Sequence, residues 1–106
     1  MKKRFMRIVV FFDLPVSTSN ERREYRHFRK FLIKDGYIMM QESVYSKLAI
    51  NQASANLCIE RLKKSKPKSG LVQVLKVTER QYADMEYIVD SVSRKEIDTI
   101  DRLVIL

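Results

Sequence analysis

The hydrophobic pattern is densest near the start of the chain. In residues 5–13, Met6, Ile8, Val10 and Phe12 fall on one side of an extended segment. Phe5, Val9 and Phe11 fall on the other, with Arg7 and Asp13 in the same set. Alternation with both sides apolar predicts a central strand covered on both faces. Leu14-Pro15 stops it, because proline has no N–H to continue the ladder.

The pattern then changes period. Thr18-x-x-Glu21 reads as a capping box opening a helix. Tyr25, Phe28 and Leu32 recur at helical spacing with Phe31 alongside, and Gly36 closes the element. Residues 37–50 predict two short strands broken near Gln41–Ser43. A second helix follows Asn51, with Ala55, Cys58, Ile59 and Leu62 on its buried stripe and Pro67 and Gly70 at its exit. Residues 71–78 predict another strand, followed by a polar turn at 79–84 and a weaker strand at Tyr87-Ile88-Val89. Residues 91–99 are polar and expected to be mobile. Leu103-Val104-Ile105-Leu106 reads as a terminal strand in search of a partner.

The order βαββαβ predicts an α+β, ferredoxin-like sandwich with additional C-terminal strands. It is expected to form one domain over residues 1–106, with a core at 1–90 and a tail and strand at 91–106. Two helices can cover only one face of such a sheet. The apolar second face of the first strand therefore calls for a further cover, either a homodimer packing sheet on sheet or a nucleic acid lying on an open platform.

Composition narrows the partners. The 106 residues carry 21 Lys+Arg and 13 Asp+Glu, a net charge of +8. Residues 1–34 hold 10 basic and 3 acidic side chains (+7), residues 35–68 hold 6 and 3 (+3), and residues 69–106 hold 5 and 7 (−2). This segregation favours a basic face for polyanions over scattered solubilising charge. Arg22, Arg26, Arg29, Lys30 and Lys34 form one stripe opposite Tyr25, Phe28 and Leu32, with Arg23 at its flank. Lys63, Lys64, Lys66 and Lys68 extend it. Such a stripe suits phosphate-backbone contact rather than base reading. One cysteine excludes an internal disulfide framework and a four-ligand zinc site, and it fits the cytoplasm. No stretch reaches the roughly 18 apolar residues of a membrane span. The charged start is no secretory signal, since Arg7 and Asp13 interrupt the apolar run.

Little in the chain can carry chemistry. His27 is the one histidine and reads as solvated or half-buried, while Cys58 reads as core packing. There is no glycine-rich phosphate loop. Asp13 stands out because it ends an apolar strand, although Asp before Leu-Pro also caps ordinary turns. It shares its face with Val9 and Phe11, the face assigned to the dimer contact. Two copies could meet across a two-fold axis and form the carboxylate pair that a hard divalent cation takes.

A strand ending in VVFFDLP, a Ser/Thr-rich turn, an Arg-rich helix and then DGYIMMQESVYSKLA resemble the CRISPR-associated protein two family. PKSGLVQVLKVTERQY is similar to that family's fourth strand and the turn after it. The resemblance runs over essentially the whole chain. Its most specific part is the Asp-terminated strand together with Gln41-x-Ser43-Val44-Tyr45, and SVYSKLA looks most like members from type II CRISPR systems. The resemblance implies a homodimer that assembles with the integrase, CRISPR-associated protein one, during spacer acquisition. It implies a basic scaffold for double-stranded DNA and a magnesium-dependent (or other divalent-cation-dependent) endonuclease acting on DNA or single-stranded RNA. Asp13 then takes the position of the catalytic, metal-binding aspartate. The family often has Tyr directly before this Asp. Phe12 stands there instead, which leaves a hydroxyl missing from the expected surroundings of Asp13. The competing reading is a non-catalytic ferredoxin-like RNA-binding or regulatory module.

Overall fold

The computed structural model describes residues 4–90. Its elements are β1 (Met6–Asp13), α1 (Ser19–Lys34), β2 (Ile38–Gln41), β3 (Val44–Ala49), α2 (Gln52–Lys64), β4 (Leu71–Thr78) and the short α3 (Glu79–Ala83). The strands form one sheet in the order β2-β3-β1-β4, and every neighbouring pair is antiparallel. With α1 and α2 on one side, this is the α+β, ferredoxin-like arrangement. β1 lies at the centre, paired with β3 from Met6 to Phe11 and with β4 along its whole length.

The helix starts follow from local chemistry. The Thr18 hydroxyl accepts from the Glu21 N–H at 3.1 Å, and the Glu21 carboxylate accepts from the Thr18 N–H at 3.0 Å. This reciprocal cap satisfies N–H groups that have no helical partner. Asn51 caps α2 through the Ser54 N–H at 2.8 Å.

The core sits between the helices and one face of the sheet. Met6, Ile8, Val10 and Phe12 from β1 pack with Phe28 and Leu32 of α1 and with Ala55, Cys58 and Leu62 of α2. Phe12 is central to it, with ring centroids 5.2 Å from Phe28, 5.7 Å from Tyr45 and 6.0 Å from Tyr25. Each such aromatic pair adds about 1 kcal/mol beyond the area it buries.

Two features depart from the sequence expectation. The polar stretch after β4 is a helical turn, because Thr78 and Gln81 repeat the capping box of α1. Tyr87, Ile88 and Val89 form no strand, and Ile88 and Val89 are 90% and 85% exposed. A run of three apolar residues that ends at Asp90 does not pair with a sheet edge here. The expectations for 91–99 and for Leu103-Val104-Ile105-Leu106 fall outside the described residues.

The second sheet face is partly covered from within. The Arg7 guanidinium lies 4.2 Å from the centre of the Tyr82 ring, and it donates to both carboxylate oxygens of Glu79 at 2.9 and 2.8 Å. The Tyr82 and Ser46 hydroxyls share a hydrogen bond of 3.2 Å. At this end Ser46 is fully buried and Val9 nearly so. Toward Asp13 the face stays open. Phe11 and Leu71 expose apolar surface there, while Ile38 and Leu75, level with Ser46 and Val9, and Leu48, level with Arg7, expose theirs farther along the same face.

Candidate active site and nucleic-acid face

Asp13 is the last residue of β1 and pairs with Leu71 of β4. Alternation puts its side chain on the face away from the helices, where it is exposed. Among the described residues its carboxylate has no hydrogen-bond or ion-pair partner. The backbone beneath it is fixed on two sides. The Phe12 N–H donates to the Ser43 carbonyl at 3.0 Å, tying β1 to the β2–β3 turn. On the other flank Gly70, at φ +98°, approaches so closely that a β-carbon there would lie 2.9 Å from the Asp13 carbonyl oxygen and 2.7 Å from Leu14 Cδ2.

Between these flanks lies a shallow depression of about 170 Å³. Asp13, Ser43 and Gln73 supply its polar groups, and Phe11, Val44 and Leu71 supply its apolar wall. Among the described residues no three His, Cys, Asp or Glu side chains gather closely enough to hold a metal ion. Among the described residues, Asp13 is the one carboxylate that lines this depression. Magnesium commonly takes one or two carboxylates and completes its shell with water and substrate phosphates. The site fits that demand minimally with one copy and better with two.

The basic stripe is present on the outer face of α1. Arg22, Arg23, Arg26, Arg29, Lys30 and Lys34 are all exposed, as are Lys63, Lys64, Lys66 and Lys68. The loop after α2 joins this surface: the Lys68 N–H donates to the Glu24 carboxylate at 3.4 Å. The stripe is not uniform. Arg22 donates to the Val16 and Ser17 carbonyls, both at 3.1 Å, so it also straps the turn that follows Asp13. Arg29 Nε donates to the Tyr45 hydroxyl at 3.0 Å. Lys63 pairs with Glu60 at 3.2 Å. Arg23, Arg26, Lys30, Lys34 and Lys64 have no such partner among the described residues.

The remaining candidates behave as packing or surface. His27 is exposed on α1. Cys58 is buried in the core and accepts from Arg61 Nη2 at 3.4 Å. Phe12 points into the core, on the opposite side of the sheet from Asp13. The hydroxyl that a tyrosine would bring thus belongs to the aromatic cluster, which corrects the expectation of a gap beside the carboxylate. Sequence reasoning missed the positions of Ser43, Gly70 and Gln73 beside Asp13. Ser43 was visible only as part of the Gln41-x-Ser43-Val44-Tyr45 run, and Gly70 only as a helix exit. Their closeness to Asp13 is a long-range property.

Sheet, helices and strand-end carboxylate together define a ferredoxin-like sandwich with a basic helix on one side of the sheet and a candidate reactive carboxylate on the other. The family model described as CRISPR associated protein Cas2 matches residues 6–85. Proteins named CRISPR-associated endoribonuclease Cas2 are similar to the chain over most of its length. The one from Treponema denticola is 50% identical over 101 residues, covering 95% of this chain and 100% of the relative. Those from Ligilactobacillus salivarius and Streptococcus mutans are 44% and 45% identical over 101 residues, covering 100% and 93% of the relatives. The chain belongs to the Cas2 family. Among the described residues, no helix is long and apolar enough to cross a membrane.

Proposed function

We propose that this chain works in the cytoplasm as a homodimeric subunit of CRISPR spacer acquisition, and that it is a nuclease through Asp13. The observation that carries the reading is the exposed Asp13 carboxylate, without a partner among the described residues, at the end of a strand held on both flanks. Family membership supports the CRISPR role, and the relatives' names support phosphodiester cleavage with RNA as a substrate. The exposed apolar face beside Asp13 supports a second copy as its cover, which would bring two Asp13 carboxylates toward one axis.

The chain's own residues divide the work. Arg23, Arg26, Lys30, Lys34 and Lys64 hold the nucleic-acid backbone by charge, independent of sequence, and Arg22 and Arg29 add to the field while bracing the fold. This surface is the scaffold for double-stranded DNA beside the integrase. Asp13 supplies the anionic ligand, and Phe11, Val44 and Leu71 form the apolar wall beside it. Magnesium, when bound by Asp13 and the substrate phosphate, would neutralise charge on the phosphoryl oxygens and favour in-line attack by water.

Light scattering tests the assembly. A mass of two chains supports the reading. A stable monomer at working concentration would remove the paired carboxylates and return the chain to a non-catalytic binding module.

A further inference from the structure

Ser43 is the one non-glycine residue at positive φ (+66°) among the described residues. It is the second residue of the Glu42–Ser43 turn between β2 and β3, where Gln41 pairs with Val44. A left-handed backbone is the usual place for glycine or asparagine, and other residues occupy it at a cost of about 1 kcal/mol. The strain is held in place, because the Ser43 carbonyl accepts the Phe12 N–H at 3.0 Å, one residue before Asp13. Ser43 is therefore rigidly registered to the carboxylate. It is half-buried, lines the same depression, and its hydroxyl makes no hydrogen bond among the described residues.

Charge indicates what such a hydroxyl could serve. A phosphodiester entering the depression meets the Asp13 anion, and no lysine or arginine lines the walls. The neutral donors of Ser43 and Gln73 are the groups there that can meet an anionic oxygen. Gln73 is exposed on β4, whereas Ser43 is fixed from behind by the β1 backbone. We propose that Ser43 is the second substrate-contacting residue of the Asp13 site, its hydroxyl donating to a nonbridging phosphate oxygen. This rests on the reading of Asp13 given above and adds to it.

The test compares wild type, Asp13→Ala, Ser43→Gly and Ser43→Asn for cleavage of a labelled single-stranded RNA in magnesium, with thermal midpoints measured alongside. Glycine removes the hydroxyl while relieving the backbone, so Ser43→Gly keeps or raises the midpoint. Its kcat/KM falls by about tenfold or more, the usual scale for a lost hydrogen bond to a charged group. Ser43→Asn tolerates the backbone, restores a donor and recovers part of the loss. Wild-type cleavage by Ser43→Gly while Asp13→Ala is inactive overturns the Ser43 proposal and leaves Asp13 standing. Full cleavage by Asp13→Ala overturns both. A second arm measures binding of the same RNA in chelator to Asp13→Asn with and without Ser43→Gly. Weaker binding by the double variant supports the contact even if turnover is slow, and equal binding contradicts it.

Discussion

A β-carbon on Gly70 would stand 2.9 Å from the carbonyl oxygen of Asp13. The loop that leads into β4 thus packs directly on the backbone of the candidate reactive residue, and only glycine fits both the space and the φ of +98°. Gly70→Ala should destabilise the fold by about 1–3 kcal/mol through strain and close contact. It should also displace Asp13 and lower cleavage. Urea unfolding and RNA cleavage read the two effects separately.

Arg7 and Glu79 predict an acid sensitivity. The hydrogen bonds from Arg7 hold the Glu79 carboxyl below its ordinary value of 4.5. A lowered carboxylate pKa gives stability that is present above the unfolded value and is lost as pH falls through the folded one. Wild type should therefore exceed Glu79→Gln in stability at neutral pH, and the difference should shrink below about pH 4.5. Urea midpoints at neutral pH and near pH 3 check it.

Those elements also show where sequence reasoning reaches and where it stops. The first strand, both long helices and their caps were legible because alternation, helical spacing and Thr18-x-x-Glu21 are local signals. Residues 79–84 are expected as a polar turn, and the helix α3 stands there because Thr78 and Gln81 carry the same capping chemistry as α1. Five residues show no apolar stripe, and their anchor is Arg7, 72 positions away. Separation in sequence likewise hid Gly70 and Ser43 from Asp13. The apolar second face of β1 is legible in its alternation, but Tyr82 covering one end of it is not, because Tyr82 meets Arg7 and Ser46 only in the fold.

Tyr37 offers a stability test away from the site. Its hydroxyl is buried without a hydrogen-bond partner among the described residues. Burial, first of all, pushes its pKa above the usual 10.0. Tyr37→Phe removes an unsatisfied group and should be neutral or stabilising by about 1 kcal/mol. As pH rises above 10.0 the unfolded tyrosine ionises before the folded one, so wild type should lose stability there faster than the variant. Thermal or urea unfolding across that range decides it.

The basic face predicts a salt dependence. Arg23, Arg26 and Lys30 are the better probes, since Arg22 and Arg29 also hold the fold. Replacing the three by Glu should weaken duplex DNA binding without changing the thermal midpoint. It should also reduce the slope of log affinity against log salt by about 0.9 for each lost phosphate contact. Unchanged affinity would place the nucleic acid elsewhere.

In the proposed function, paired Asp13 carboxylates in a homodimer support phosphodiester cleavage. Cleavage of single-stranded RNA by wild type and Asp13→Ala, each checked for mass by light scattering, tests it most directly. Wild type should cleave only with magnesium, Asp13→Ala should not cleave, and both should have a dimer mass. Cleavage that survives Asp13→Ala, or that persists in excess chelator, would contradict it.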